Sequence, residues 1–449
     1  MPASCVGHES FQASKDAARS QKCKINKNND AVKASIVSTA ASLSETAGKH
    51  RGRLSMDDED QNRNFSGNAG TAPVRKTAII CTIPDQASFN ISNHILEIGE
   101  WKEVPLPSQE MMDRALELYP ITDPETDYFD PAASAGNEIL NESGNPENGS
   151  SGTGAGSGEN DAVKNPGYPD VVRPPENESN RFTKIYEQGD LRLFFLDGRH
   201  VFQDRLDRRL DYLGFPADRI IFPSKHKSKT EICALTVHST GNVSKAVLGG
   251  SSVSLSVPDP VLLEKILNGL KSGNEETGLG YDVTLEVTHH GPTDLKIPSL
   301  FAEIGSAEKE WTNPTAGKIV AEAVMSIRDL PEICGNVPED HDAGGCTDEK
   351  ESPAVAVGFG GGHYAERQTK HLLAGKIRFG HIFPKHHMEF LTEDLIREAF
   401  EKSGATVAYF DKKSIRGDDR RRVMAIVQEA GIPVLTDRDF KDRNETDDE

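Results

Sequence analysis

Short apolar runs alternate along the chain with segments whose apolar residues recur at helical spacing. "TAIICTI" (77–83) precedes a helical pattern through "SNHILEIGEW" (92–101), and "DLRLFFL" (190–196) precedes "QDRLDRRLDYL" (203–213). "RIIFPS" (219–224) and "CALTVHS" (233–239) lead to "PVLLEKILNGL" (260–270); "DVTLEV" (282–287) and "LFAEIG" (300–305) lead to a helix over 313–327. "AVAVGFGG" (354–361), "IRFGHIF" (377–383), the helix "EDLIREAFEKSG" (393–404), "TVAYF" (406–410) and a last helix at 422–429 complete the series. Such alternation predicts an α/β fold, one mixed and mostly parallel sheet with helices on both faces, and ligands at strand ends.

Three stretches do not fit the pattern. Residues 1–71 are rich in Ser, Ala and Asn, and the first 53 of them lean basic, before "SMDDEDQ" turns acidic at Met56. They read as a disordered extension, with Met56 a candidate translation start. Gly, Ser, Asn and acids dominate about 123–180 and, on a smaller scale, 331–352, which read as low-complexity insertions. The remaining residues of 72–449 form one interrupted domain.

Charge and cysteines narrow the class. Seventy-one Asp and Glu against 51 Lys and Arg give a net charge of -20, dispersed in the manner of a salt-adapted surface, which argues against non-specific nucleic-acid binding by the whole surface. The six cysteines are scattered with no CxxC pair, which argues against a disulfide framework or a zinc knuckle. No apolar run is long enough for a membrane helix. A soluble, cytoplasmic monomer is the expectation.

Histidines then mark strand ends. They occur in "FPSKHKSKT" (His226), "ALTVHSTGN" (His238), "EVTHHGPTD" (His289 and His290) and "GFGGGHYAER" (His363), and "GHIFPKHHM" adds His381, His386 and His387. Converging imidazoles suit Zn²⁺, which takes three protein ligands and leaves a position for water; the candidate ligands are His226, His238, His289 and His363. The alternative is that these rings only hydrogen-bond loops, since the spacing matches neither HExxH nor HxH. On a strand ending in a turn His289 and His290 should face opposite sides, one toward the site and one away. Catalysis falls to His289, His290, His363 and Glu303, the last being an acid bracketed by Ala302 and Ile304. Gly360, Gly361 and Gly362 suit an oxyanion or phosphate cradle. Lys225, Lys227, Lys229 and Arg367 add a basic strip against the global charge, suited to a phosphate-bearing substrate.

Assembled in order, "SKHKSKT…LTVHSTGN", "EVTHHGPTDL", "EIGSAEKEW", "GFGGGHYAER" and "GHIFPKH" resemble the archaeal and plant type of D-aminoacyl-tRNA deacylase, also called D-tyrosyl-tRNA deacylase. With "TAIICTIPDQAS" and "FFLDGRHVFQD", the likeness spans about 75–435. The resemblance implies hydrolysis of the ester joining a D-amino acid to the tRNA 3′ end, by a carboxylic ester hydrolase that proofreads mischarged tRNA. It also implies zinc, one or two ions per chain, a sheet akin to phosphorylase or peptidyl-tRNA hydrolase, and the tRNA acceptor stem as partner. Two rival readings stay open: a zinc-dependent peptidase or amidohydrolase of small substrates, and a non-catalytic phosphate- or nucleotide-binding protein.

Overall fold

A computed structural model describes residues 76–122, 172–228, 231–329 and 352–440. The extension to residue 71, Met56, Lys229 and most of the two insertions lie outside the described residues. Of 123–180, residues 172–180 are described: Val172 bridges to Leu248 and the Asn180 amide donates to the Asp197 carbonyl.

The strands are β1 (Thr77–Thr82), β2 (Lys102–Glu103), β3 (Phe182–Gln188), β4 (Leu191–Leu196), β5 (Arg219–Lys227), β6 (Ala234–His238) and β7 (Gly241–Asn242). They continue as β8 (Ser254–Leu255), β9 (Asp282–Leu285), β10 (Ser299–Ser306), β11 (Val355–Phe359), β12 (Arg378–Phe383), β13 (Val407–Phe410) and β14 (Val434–Leu435). The α-helices are α1 (Gln86–Glu97), α2 (Gln109–Leu118), α3 (Leu206–Tyr212), α4 (Pro260–Thr277), α5 (Glu308–Trp311), α6 (Pro314–Met325), α7 (Glu366–Leu373), α8 (Glu393–Ser403) and α9 (Gly417–Glu429).

The expected mixed, mostly parallel α/β architecture is present, with its strands divided among sheets. Eight form one sheet in the order β2-β3-β4-β1-β5-β10-β6-β9, four form a parallel sheet β12-β11-β13-β14, and β7 and β8 form a ribbon. The division comes from pairings distant in sequence. β11 takes β12 and β13 as neighbours, and the segment after β9 joins the two sheets through Val287 N–H to the His363 carbonyl and Thr288 N–H to the Ile382 carbonyl.

Local chemistry delimits two of the long helices. Asp85 caps α1 by accepting from the Ser88 amide, and Asp259, with Pro260 just inside, caps α4, which ends at Gly278 in the left-handed region. One face of the large sheet buries Ile79, Ile221, Leu300 and Ala302 against the apolar stripes of α1, α4 and α6. The other buries Ile80, Phe194, Phe222 and Phe301 against α2 and α3, and a separate core joins the small sheet to α8 and α9. Beside these buried faces, alternation leaves one row of polar side chains pointing into a crevice between the sheets.

Candidate functional site

That row starts on β5, where Phe222, Ser224 and His226 share a face because residues two apart on a strand point the same way. On β10, Phe301 and Glu303 lie beside Phe222 and Ser224, and Gly305 lies beside His226. A Cβ at Gly305 would stand 3.0 Å from the His226 ring, so glycine leaves room for the imidazole. β6 runs antiparallel to β10 and sets His238 opposite Phe301, ring against ring at 5.3 Å. Glu286 follows β9 and is fully enclosed, while His289 and His290 come from the next turn and His363 from the loop after β11.

The pair of adjacent histidines departs from the alternation expected of them. His290 adopts φ 43°, in the left-handed region that non-glycine residues rarely occupy, and this twist turns its ring to the same side as His289. The His238, His289 and His290 rings then lie 4.3 to 5.0 Å apart, and one ligand atom of each falls within 4.8 Å of the others. Both histidines face the site.

Hydrogen bonding fixes what these rings offer. Nδ1 of His238 lies 3.1 Å from the Ser239 carbonyl, that of His289 2.8 Å from the Val287 carbonyl, and that of His290 2.7 Å from the Gly291 carbonyl. A carbonyl only accepts, so each Nδ1 carries the proton and each Nε2 is left to bind a cation or a proton. The buried Nε2 of His238 has no hydrogen-bond partner and sits 3.7 Å from Glu303 Oε2. Alongside, Glu286 lies 3.1 Å from His226 Nδ1, 2.9 Å from His363 Nε2 and 3.5 Å from His289 Nε2. His226, Glu286 and His363 form a second group able to hold a metal ion, and His238, Glu286 and Glu303 a third that links the two.

Electrostatics show that this cluster needs positive charge. Burial lowers the pKa of His226, but Glu286 and Glu303 overcome it and push the ring up to about 10. Burial works against His238 also, and Glu303 raises it. Burial, together with the charge on His238, drives His289 well below the ordinary range and His290 down to about 4. Against burial, the neighbouring His226 and His363 rings hold Glu286 low, and those of His226 and His238 hold Glu303 low. Two enclosed carboxylates are thus neutralised by protons on imidazoles that a metal cation would displace. The donor set fits zinc, which favours imidazole and carboxylate.

A cleft of about 1160 Å³ opens over this floor. Its walls include Lys225, Lys227, Gly361, Gly362, Arg367, Lys385 and Trp311. Not all of these are free to bind. The Arg367 guanidinium is engaged with Asp411 at 3.3 Å and with Asp437. Gly360 is absent from the lining and its amide donates to Phe383, while that of Gly361 donates to Ser414 Oγ. Positive φ values of 99° and 91° at Gly360 and Gly361 explain the glycines: the chain must turn sharply there to present His363. Two of the three amides expected to cradle an anion are therefore spent on the turn itself. His381 lies behind the floor, bonded to Thr288 Oγ1 and the Ser256 carbonyl, and burial lowers its pKa to about 3. His386 and His387 pair with each other at 4.4 Å and do not line the cleft.

Three participants escaped the reading of the sequence. Glu286 is an acid between Leu285 and Val287, the same signal that singled out Glu303. Tyr364 stands 5.7 Å, centroid to centroid, from both His226 and His363. Trp311 donates its indole N–H to the His226 carbonyl.

Fold and site together define an α/β protein with a buried histidine–glutamate centre able to hold a metal ion at the floor of a cleft. Residues 213–435 match the family model described as D-aminoacyl-tRNA deacylase. The chain is 39% identical to the D-aminoacyl-tRNA deacylase of Methanosarcina mazei over 83% of its own length and 96% of that protein. It is 37% identical to the one from Pyrococcus horikoshii over 56% and 86%. The fold is similar to a crystal structure of a conserved protein of unknown function, with a TM-score of 0.56 and 25% identity over 81% of this chain and 96% of that one. The chain belongs to the D-aminoacyl-tRNA deacylase family. Membership does not favour the peptidase or the phosphate-binding alternative.

Proposed function

We propose that this chain hydrolyses the ester of D-aminoacyl-tRNA at the histidine–glutamate centre, releasing tRNA and a D-amino acid. The observation that carries the reading is the convergence of three imidazoles, each left with Nε2 to offer because its Nδ1 is tied to a backbone carbonyl, beside two buried carboxylates, in a chain of this family.

His238, His289 and His290 would hold one zinc ion through Nε2, with His226, Glu286 and His363 as a second set. Zinc bound there supplies a Lewis acid and a water whose pKa is lowered toward about 7. The protein's own groups do the rest. With the second set free of metal, a proton released at the site would be held between His226 Nδ1 and the Glu286 and Glu303 carboxylates, 3.1 and 3.6 Å away. His363 is the partly exposed imidazole of the set and bonds Glu286 at 2.9 Å. With the second set free of metal, His363 would return a proton to the departing ribose oxygen. Burial of Glu286 and Glu303 excludes bulk water and keeps both carboxylates fixed. Lys225 and Lys227, at the end of β5 beside His226, meet the phosphates of the tRNA 3′ end.

The test is ester release from matched D- and L-aminoacyl-tRNA, with and without a zinc chelator. Selective release from the D substrate, abolished by chelation and restored by added zinc, is expected. Release that survives complete metal removal would take zinc out of the reaction, and absence of release would overturn the deacylase reading.

A further inference from the structure

An enzyme that cuts an aminoacyl ester on a terminal ribose must place the adjoining base within a nucleoside's length of the reacting carbonyl. Among the described residues, two non-histidine aromatic rings line the cleft, Trp311 and Tyr364. Tyr364 is already committed, packed 5.7 Å from both the His226 and His363 rings and bridging to Glu286 through its backbone. Trp311 is the other. Its indole N–H donates to the His226 carbonyl at 2.9 Å, which ties the ring to the reacting floor by a single hydrogen bond. It stands at the end of α5, whose first turn is closed by the Glu310 carboxylate accepting from the Ala307 amide, so its backbone is also held. Across the indole lies the Lys225 ammonium, 5.2 Å from the ring centroid. A half-buried indole, held by its N–H and with an ammonium group over its ring, is a stacking surface with a cation on it.

We infer that Trp311 and Lys225 form the subsite for the terminal adenosine of the tRNA 3′ end: the adenine stacks on the indole and displaces the Lys225 ammonium, which moves to the adjoining phosphate. This deepens the deacylase reading and rests on it for the identity of the nucleotide. The cleft volume of about 1160 Å³ is several times what an amino acid needs and accommodates the nucleoside as well. The arrangement also gives the substrate a direction. The nucleotide lies along the Lys225, Lys227 and Trp311 wall, and the aminoacyl group extends past His226 toward Tyr364 and His363.

The chain holds two tryptophans, Trp101 and Trp311. In a W101F background the fluorescence reports Trp311 alone, and adenosine 5′-monophosphate is the probe. Saturable quenching is expected, weakened severalfold by K225A. For D-aminoacyl-tRNA, W311L should raise KM roughly tenfold, the scale of one base–aromatic stack, whereas W311F, which keeps a stacking face but lacks the indole N–H, should recover most of it. That comparison separates stacking from support of His226, because both variants lose the hydrogen bond. Failure of the nucleotide to quench Trp311, or equal KM values for W311L and W311F, overturns the subsite. Saturable quenching by a protein that releases no amino acid from D-aminoacyl-tRNA would leave the subsite standing as a nucleotide site and overturn the deacylase reading instead.

Discussion

Glu286 sets the charge state of the site, because its two oxygens meet three imidazoles, at 3.1 Å from His226, 2.9 Å from His363 and 3.5 Å from His289. Replacing it with glutamine keeps the shape, removes the charge and turns an NH₂ donor toward rings that need an acceptor. Ligands of this kind support one another, and loss even of an outer partner costs 10- to 100-fold in metal affinity or activity. E286Q should therefore fold normally, lower kcat/KM by at least about 100-fold and retain less zinc after dialysis, as read by kinetics and metal analysis. Full activity in E286Q would remove Glu286 from the centre. The residue was legible in principle. It sits between Leu285 and Val287 just as Glu303 sits between Ala302 and Ile304, and an acid inside an apolar strand must be paired. The facing of His290 was not legible, because a positive φ at a histidine breaks the two-residue period and leaves no mark in composition.

At the scale of elements, the turn carrying His289 and His290 is held from all sides. The Gly291 amide donates to the Leu248 carbonyl, the Gly241 amide to the His290 carbonyl, and Thr240 Oγ1 to the Pro292 carbonyl. Asp204, buried at the start of α3, accepts from the Thr293 and Asp294 amides at 2.7 and 3.0 Å. Gly291 has no room to spare: a Cβ there would stand 2.2 Å from the Gly250 nitrogen and 2.5 Å from the Val201 carbonyl oxygen. Both are backbone atoms, so the turn itself must move. G291A should cost roughly 2–3 kcal/mol in urea denaturation, as overpacking does. It should also lower kcat by about 100-fold, as a displacement of about 1 Å does at a reacting centre. A variant that loses stability but keeps kcat would show that the turn can shift without moving His290. Most elements were visible in the apolar runs, since β1, β4, β5, β6, β10 to β13 and α8 lie where the pattern put them. α2 and β3 were missed: they flank the low-complexity insertion, and β3 is only half-buried, so its apolar signal is faint. The split into two sheets was hidden because β11, β12 and β13 meet through pairings that no local pattern encodes.

For the whole molecule, the governing quantity is a net charge of -20 on a protein whose proposed substrate is a polyanion. Long-range repulsion must be overcome locally, and the exposed Lys227 and Lys385 on the cleft walls, with Lys225 over Trp311, are placed to do so. Arg367 is excluded from this work by Asp411 and Asp437. Salt then acts in two directions: it screens the global repulsion over a Debye length of about 8 Å at physiological ionic strength, and it weakens each lysine–phosphate contact by competing for the phosphate. The second effect has a measurable unit, because a contact to a single strand contributes roughly 0.7 to the slope of log affinity against log salt. In K227E the slope of log KM between roughly 50 and 200 mM salt should fall by about that amount and KM at low salt should rise, while kcat stays near the wild-type value. An unchanged slope would mean that the tRNA approaches by another wall of the cleft and that the lysines of β5 serve only solvation. A fall in kcat with the slope intact would instead tie Lys227 to the geometry of His226, its immediate neighbour in the chain.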